Sequence, residues 1–318
     1  MIKKTILYFA VLFLLITGVG HVMKLAALRF DPNEPKVDRI LKMQGQDYDM
    51  LFMGNSVTLQ AINPVFLDSL LGIHSYNFAV GGASIIESKV FLQHYLMHNA
   101  KPELVVLGLF INEEAWSDRL RPTIELGVEH SVRKEYYHYL RQHKIDPEYS
   151  MKFYNRFAIF RHRNVIEHVL KYIVEPKERQ YRFQQGYLYT SASNKIPDEL
   201  LPHESGINEN GLLAFDEFCR QQGIRVLYIE PPNNTVYNTT TENRDGTLQK
   251  VRDIVGLGFI SFNNDDPMYT LDDWFGLNHF NIKGARKFTG QFVSYVRNEY
   301  PHLAERNAGQ VRPVSMVK

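Results

Sequence analysis

The sequence predicts an α/β protein with three layers, in which helices cover both faces of a parallel sheet of about five strands. Two observations support this prediction. Five short apolar runs, each suited to a buried strand, end at polar or turn-forming residues. Stretches with helical spacing of apolar residues separate these runs, and alternation of strands with helices is typical of a parallel sheet. A helical insert and an N-terminal membrane anchor complete the predicted architecture.

The predicted strands and helices alternate along most of the chain. The strands are predicted at residues 50–53, 75–80, 104–111, 224–229 and 259–262. The helices are predicted near residues 37–43, 63–71, 84–96, 208–222, 248–255 and 281–296. Two helix starts have additional support. Ser84 with Glu87 three residues later forms a capping-box pattern, and Asn281 precedes the last amphipathic stretch.

The first 30 residues are predicted to form a membrane anchor. Lys3 and Lys4 precede an almost unbroken apolar stretch at residues 6–23. Its length of about 18 residues is at the lower limit for crossing a bilayer. Positive residues before such a stretch favour a cytoplasmic N-terminus and an exported body. Gly18 and Gly20 are compatible with a cleaved signal peptide, and this alternative stays open beside an uncleaved anchor.

The chain is predicted to divide into an α/β domain and three further segments. The α/β domain comprises residues 31–115 and 206–300, after the anchor at 1–30 and before a polar tail at 301–318. Residues 116–205 interrupt the alternation, show no clear strand, and have helical spacing of apolar residues at 165–173. We therefore predict a helical insert at 116–205.

The predicted insert is basic and aromatic. Residues 117–195 hold 15 Lys and Arg against 9 Asp and Glu, which gives a net charge of +6. Such a surface suits an anionic polymer or lipid headgroups. A solvated helical hairpin without a binding role is the alternative interpretation.

Composition disfavours several classes of function. The formal net charge of +1 argues against a nucleic-acid partner, because such binding depends on neutralising phosphates. The single cysteine, Cys219, excludes an intramolecular disulfide and a cysteine-based metal cage, and it is predicted to be a buried small hydrophobe. The histidines show no spacing typical of a metal site. We therefore expect no metal and no other cofactor.

Two segments at opposite ends of the α/β pattern carry the candidate chemistry. The first strand stops at Gly54-Asn55-Ser56, which places a serine hydroxyl at the carboxyl edge of the sheet, where open α/β folds bind ligands. Serine is a weak nucleophile until a base removes its proton. His279, just before the last helix, is the candidate base. A helix N-cap role for Ser56 and a surface position for His279 are the structural alternatives.

These segments, together with Gly82 after the second strand and Asn112 after the third, resemble the SGNH (GDSL-like) hydrolase superfamily. The resemblance covers about residues 45–115 and 258–298. It implies a flavodoxin-like fold with Ser56 as nucleophile and His279 as base. It also implies an oxyanion hole made by the backbone amides of Ser56 and Gly82 and by the Asn112 side chain.

The chain departs from the family pattern at three places. Asn55 stands where the family usually has Asp, and Glu113 follows Asn112 where the family again has Asp. Gly276 occupies the position three residues before His279 that normally holds the acid of the triad. We therefore assign Asp273, in preference to Asp272, as the residue that orients the imidazole through a lengthened loop. The absence of any orienting acid is the alternative. Asn77 is predicted to have a structural role.

Within the superfamily, the N-terminal segment and the long insert resemble membrane-anchored envelope members, such as those of alginate O-acetylation and of lipoteichoic acid D-alanylation. The resemblance implies a serine esterase or O-acyltransferase that acts on envelope polysaccharide or an acyl carrier. It further implies a single-pass protein of the cell membrane with an exported domain, and a multi-spanning membrane acyltransferase as a partner. The alternative, favoured by Gly276, is a catalytically impaired binding or scaffold subunit of an envelope acylation complex.

Overall fold

The structure, a computed structural model, describes residues 2–30, 33–113, 120, 124, 127–145, 166, 169–170, 182–190, 200–263 and 268–305. Its α-helices are α1 (Ile2–Phe30), α2 (Asn33–Leu41), α3 (Ser56–Ala61), α4 (Pro64–Leu71), α5 (Ile85–His98), α6 (His130–Gln142), α7 (Glu209–Gln221), α8 (Thr235–Thr239), α9 (Arg244–Val255), α10 (Ile282–Glu299) and α11 (Pro301–Glu305). Its strands are β1 (Met50–Met53), β2 (Ser75–Asn77), β3 (Leu104–Gly108), β4 (Asn112–Glu113), β5 (Arg182–Gln184), β6 (Tyr187–Tyr189), β7 (His203–Glu204), β8 (Gly206–Ile207), β9 (Arg225–Glu230), β10 (Thr241–Glu242) and β11 (Phe259–Ser261).

Five of these strands form one parallel sheet in the spatial order β11-β9-β3-β1-β2. From the β2 edge, this is the strand order of flavodoxin-like folds, as predicted. The direction of strand addition reverses between β1 and β3. Open α/β sheets bind their ligands beyond the carboxyl ends of the strands at such a switch point. The topology therefore places the segment after β1, which begins with Gly54 and contains Ser56, at the expected position of a site.

Helices cover both faces of the sheet, which confirms the three-layer prediction. Helices α5, α7 and α9 pack together on one face, and α10 packs with α3 and α4 on the other. Every residue of β1 and β3 is buried. Strands buried on both faces contain continuous apolar runs rather than alternating ones, which explains why these strands could be recognised from sequence. Cys219, in α7, is buried as predicted.

The chain divides into two compact units. The sheet lies in the unit formed by Met43–Ser117 and Arg182–Lys318, and the other unit is formed by Met1–Lys42 and Asp118–Tyr181. The second of these contains α1. Between Lys3 and Ala27 this helix is long and apolar enough to cross a membrane, with a mean hydropathy of 2.2, and it is the one such helix in the described part of the chain. A signal sequence has the same properties.

The insert is helical at α6, as predicted, but short strands follow near its C-terminal end. Strands β5 and β6 form an antiparallel hairpin, and Gln185 and Gly186 between them both have positive φ angles, of 45° and 79°. Two consecutive positive φ angles are typical of a type I′ turn. The sequence predicts no strand here, because two or three residues are too few to show alternation.

Two further predictions concern segments that are described only in part. Most of the helical pattern at residues 165–173 lies outside the described residues, as do residues 306–318 of the polar tail. The tail begins with the short helix α11.

Candidate active site

Ser56 is the first residue of α3, directly after the turn that ends β1. Gly54 makes this turn with a φ angle of 133°, which residues with a side chain rarely adopt. The Asn55 side chain caps α3 by accepting a hydrogen bond from the backbone N–H of Val57, at 3.0 Å. Asparagine is among the best N-cap residues, so the residue that departs from the family pattern stabilises the helix start locally. Ser56 itself is half-buried.

The carboxyl ends of β1 and β3 approach the first turn of α3 very closely. A Cβ atom at Gly54 would lie 2.7 Å from both the carbonyl oxygen of Gly108 and the Oγ1 atom of Thr58. A Cβ atom at Gly108 would overlap Thr58 Oγ1. Glycine is therefore required at both strand ends if the helix that begins at Ser56 is to pack here.

Asn77, at the end of β2, connects this strand to α3 through hydrogen bonds. Its side-chain amide donates hydrogen bonds to the carbonyl oxygens of Thr58 and Ile62, both at 3.1 Å, and its side-chain oxygen accepts one from Ala79 N–H. Asn77 is fully buried. These contacts confirm the structural role predicted for Asn77.

His279 lies on the returning arm of a short loop. Trp274 and Phe280 form an antiparallel bridge, and their rings stack with centroids 4.3 Å apart. The carbonyl oxygen of His279 accepts hydrogen bonds from Phe275 N–H at 2.8 Å and Gly276 N–H at 3.3 Å. Asn281 then caps α10, as predicted, because its side chain accepts hydrogen bonds from the backbone N–H groups of Lys283 and Gly284. Backbone bonds and aromatic packing together fix the position of the imidazole.

The structure brings Ser56 and His279 together. The Nε2 atom of His279 lies 2.8 Å from the Oγ atom of Ser56, although 223 residues separate them along the chain. Burial of the imidazole lowers the pKa of His279 to about 4. Desolvation has this effect because it penalises the charged form. At neutral pH the imidazole is therefore uncharged and able to accept a proton from the serine hydroxyl.

Asp273 does not make the expected hydrogen bond to His279. Its carboxylate accepts hydrogen bonds from Thr270 N–H at 2.8 Å and from the Lys287 ammonium at 2.7 Å. Although burial raises the pKa of the Asp273 carboxyl, the hydrogen bonds from Lys287 and Thr270 outweigh it and hold the pKa below its usual range. Within the described residues, no hydrogen bond reaches the Nδ1 atom of His279.

The local backbone explains where the Asp273 carboxylate goes. Asp273 ends a 3-10 turn that begins after Thr270, and the two side chains form a capping box across it. Its carbonyl oxygen pairs with Asn281 N–H rather than with a group of His279. The neighbouring Asp272, the second candidate acid, has an exposed side chain.

The two further oxyanion candidates follow the strands on either side of β1. Gly82 follows β2 in a turn and has a φ angle of 77°. Ser84, two residues later, is the N-cap of α5 and forms the predicted capping box with Glu87. Asn112 follows β3 and pairs with β8. The carboxyl ends of neighbouring parallel strands share one edge, so Gly82 and Asn112 belong to the same edge of the sheet as Ser56.

The side chain of Asn112 has a partner that the sequence did not reveal. Its Nδ2 group donates a hydrogen bond to the hydroxyl of Tyr237 on α8, while its buried Oδ1 atom has no hydrogen-bond partner among the described residues. Tyr237 is one of 18 tyrosines, and no motif distinguishes it from the others. Its proximity to Asn112 arises from packing across 125 residues of sequence. Only the three-dimensional structure makes it a site residue.

The described part of the chain contains no group of three His, Cys, Asp or Glu side chains arranged to hold a metal ion. At the site itself, the structure shows a serine hydroxyl in contact with an uncharged imidazole.

Comparisons with known proteins give remote structural similarities and no sequence match. No protein-family model and no curated protein matches the sequence. The structure is similar to a protein of Bacteroides fragilis assigned as an acylhydrolase, with 11% identity and a TM-score of 0.35 over 82% of this chain and 94% of the other. It is also similar to an acetyl xylan esterase from the rumen bacterium Butyrivibrio proteoclasticus, with 10% identity and a TM-score of 0.35 over 80% of this chain and 66% of the other. Both similarities are too remote to bear on the activity.

Proposed function

We propose that this protein is a serine esterase or O-acyltransferase that works through an acyl-enzyme on Ser56. The observation that carries the proposal is the 2.8 Å contact between Ser56 Oγ and His279 Nε2 at the switch point of the sheet. A nucleophile within hydrogen-bonding reach of a base is the arrangement that acyl transfer requires.

The proposed reaction proceeds in two steps. Ser56 Oγ attacks the ester carbonyl carbon while His279 Nε2 takes the hydroxyl proton, and the carbonyl π electrons move to the oxygen. When the tetrahedral intermediate collapses, the bond to the alkoxy oxygen breaks and the imidazolium returns the proton to the leaving alcohol. Water or a sugar hydroxyl then attacks the acyl-enzyme by the same route. Water makes the protein a hydrolase, and a sugar hydroxyl makes it a transferase.

The backbone amides of Ser56 and Gly82 and the side chain of Asn112 are the proposed donors to the developing oxyanion. One such donor typically contributes about 3–4 kcal/mol to lowering the barrier. His279 acts in this proposal without a carboxylate partner among the described residues, where Asp273 is engaged by Lys287. Loss of the orienting acid costs serine hydrolases about 10⁴-fold in turnover. We therefore expect a slow enzyme compared with a complete triad.

We further propose that the enzyme acts at the cell envelope, with the α/β unit exported and α1 as its membrane anchor. The order of Lys3, Lys4 and the apolar helix supports this orientation. Envelope polysaccharide or an acyl carrier is the proposed substrate, and a multi-spanning acyltransferase is a proposed partner; both rest on the family resemblance. A reporter fused after Lys318 tests the orientation. A reporter that works only outside the cytoplasm should be active there, and activity of a cytoplasm-only reporter would contradict it.

Labelling with a fluorophosphonate probe tests the proposed nucleophile. We expect the full-length protein in detergent to be labelled, and Ser56→Ala to lose both labelling and turnover of p-nitrophenyl acetate, by about 10³-fold or more. Ser69→Ala is a matched control, because Ser69 is exposed and its hydroxyl donates to the carbonyl oxygen of Phe66 within α4. Turnover that survives in Ser56→Ala would refute the assignment. Adding an oligosaccharide acceptor and identifying the acylated product then separates transferase from hydrolase.

A second candidate function is a binding or scaffold subunit that retains the fold without catalysis. The observation in its favour is the engagement of Asp273 by Thr270 and Lys287, which leaves His279 without a described carboxylate partner. The same experiment distinguishes the two candidates. A folded wild-type protein that neither reacts with the probe nor turns over ester would support the scaffold.

A further inference from the structure

We propose that the hydroxyl of Tyr237 is a further catalytic donor to the oxyanion, oriented for that role by Asn112. This inference rests on the proposed function and refines its oxyanion hole. It assigns a direct role to a residue that no motif of the sequence indicates.

Tyr237 lies on a segment that connects the two sides of the candidate site. On one side, the Asn112 amide donates to the Tyr237 hydroxyl, and Asn112 follows β3, the neighbour of β1 in the sheet. On the other side, the backbone N–H of Asn234, which caps α8, donates to the carbonyl oxygen of Leu277 at 2.9 Å. Leu277 is two residues before His279. Helix α8 is thus tied both to the oxyanion side and to the loop that carries the base.

The direction of the hydrogen bond determines what the tyrosine can do. An amide nitrogen only donates, so the Tyr237 oxygen must accept from Asn112. The hydroxyl proton of Tyr237 is therefore directed to some other acceptor. Within the described part of the chain, no hydrogen bond from this hydroxyl to an acceptor is found. A carbonyl oxygen that gains negative charge at the site is an acceptor suited to it, and donation by Asn112 strengthens the tyrosine as a donor.

The ring that carries the hydroxyl is held firmly. It stacks on Phe110, with ring centroids 5.9 Å apart and ring planes at an angle of 27°. It also contacts the ring of His203, with ring centroids 4.7 Å apart. His203 in turn shares a hydrogen bond of 3.0 Å with the hydroxyl of Thr241. The side chain of Tyr237 is buried. A donor held in advance in this way does not need to reorganise when charge develops, which is what makes such donors effective.

Burial also keeps this donor protonated. Desolvation raises the pKa of Tyr237 well above its ordinary value, and this effect outweighs the opposing hydrogen bond from Asn112. The hydroxyl therefore retains its proton at neutral pH, where His279 is uncharged. A donor and a base with pKa values so far apart can work together over a wide pH range.

Tyr237→Phe tests the inference in the full-length protein, because it removes the hydroxyl and keeps the ring that packs against Phe110. We expect kcat for p-nitrophenyl acetate to fall by about 10²-fold with KM nearly unchanged, as for an interaction made only in the transition state. Tyr228→Phe is the matched control. It also removes one tyrosine hydroxyl, which donates a hydrogen bond of 2.8 Å to Asp216. This hydroxyl does not lie at the carboxyl ends of the strands, so the kcat of Tyr228→Phe should equal that of wild type.

Each other outcome overturns the inference. An unchanged kcat in Tyr237→Phe would mean that the hydroxyl only packs, and an increased kcat would mean that it competes with the oxyanion for Asn112. A wild-type protein without Ser56-dependent turnover would overturn the proposed function together with the inference, whereas an active wild type beside an equally active Tyr237→Phe overturns the inference alone.

A second substitution tests the same inference if Tyr237→Phe does not fold. Incorporation of 3-fluorotyrosine at position 237 keeps the ring and the hydroxyl and makes the hydroxyl a stronger acid. We expect kcat to change by a few fold if the hydroxyl donates in the transition state, and an unchanged kcat would contradict that role.

Discussion

Ser56 and His279 meet in one hydrogen bond but are supported in different ways. The serine depends on close packing of backbone at the strand ends, with Gly54, Gly108 and Thr58 in near contact. The histidine depends on a loop closed by backbone pairing and by the stack of Trp274 on Phe280. On the serine side of the site, which comprises Ser56 and these close contacts, neither Gly54 nor Gly108 has room for an added methyl group. On the histidine side, which comprises His279 and its loop, charged side chains surround the loop. This difference suggests that the two sides respond differently to substitution.

Gly108→Ala should disrupt the packing around Ser56, and it has the largest expected effect on stability and turnover. The added methyl group overlaps Thr58, so the strand end or the first turn of α3 must shift. Overpacking of this kind costs about 1–3 kcal/mol or more. A shift of about 1 Å in the nucleophile is expected to lower turnover by about 10²-fold. Urea unfolding followed by circular dichroism and esterase assays would measure both effects.

Two further variants show whether that effect comes from the predicted overlap. Thr58→Ala added to Gly108→Ala removes the Oγ1 atom that the methyl group meets, and should restore part of both losses. Gly290→Ala, in α10, places a methyl group in open space and should leave turnover unchanged. Equal losses in Gly108→Ala with and without the second substitution would contradict the packing argument.

Asp273→Asn tests the support of His279 and should lower turnover less than Gly108→Ala does. It weakens the pairing with Lys287 and should destabilise the protein by about 1–3 kcal/mol, as for hydrogen bonds to charged groups. Because the structure gives this carboxylate no hydrogen bond to His279, turnover should fall by less than about tenfold. Asp272→Asn, at an exposed neighbour, is the control and should change neither property. A loss of several orders of magnitude in Asp273→Asn alone would restore Asp273 as the orienting acid.

The pH dependence of kcat/KM refines the same comparison without a substitution. Only the uncharged form of His279 can take the serine proton, so activity is lost as the pH falls through the pKa of the imidazole. Because burial lowers that pKa to about 4, we expect the acid limb near pH 4 instead of near the ordinary value of about 6.5. Chromatography of the released alcohol would follow the reaction at low pH. An acid limb at pH 6.5 or above would indicate a carboxylate in contact with the imidazole.

The strand and the turn that precede Ser56 could be predicted from the sequence because they are local. The apolar run of β1 and the turn glycine are contiguous, and their pattern specifies a strand that ends at Ser56. Helix α3, which begins at Ser56, and its Asn55 cap were not predicted. The same holds for the sheet, whose five strands were all predicted. The cap of α10 by Asn281 was predicted for the same reason.

The partners of the site could not be predicted, because they depend on contacts between distant segments. Asp273 is drawn to Lys287 by the packing of α10 against the preceding loop, and Tyr237 reaches Asn112 through the placement of α8. The short strands of the β5–β6 hairpin leave no alternating pattern to recognise. The local sequence thus indicated the proposed nucleophile and base, whereas their neighbours became known only from the fold.

The β5–β6 hairpin has a consequence for how the chain behaves at high concentration. Strand β2 is at an edge of the sheet, and an uncovered edge strand offers its backbone groups to strands of other molecules, which promotes aggregation. Here the backbone N–H of Asn77 donates to the carbonyl oxygen of Gln185 at 2.9 Å, and Gly186 lies so close to the Asn77 carbonyl oxygen that a side chain would overlap it. The turn of the hairpin thereby blocks the end of β2, and this edge is protected from joining the sheet of a second copy.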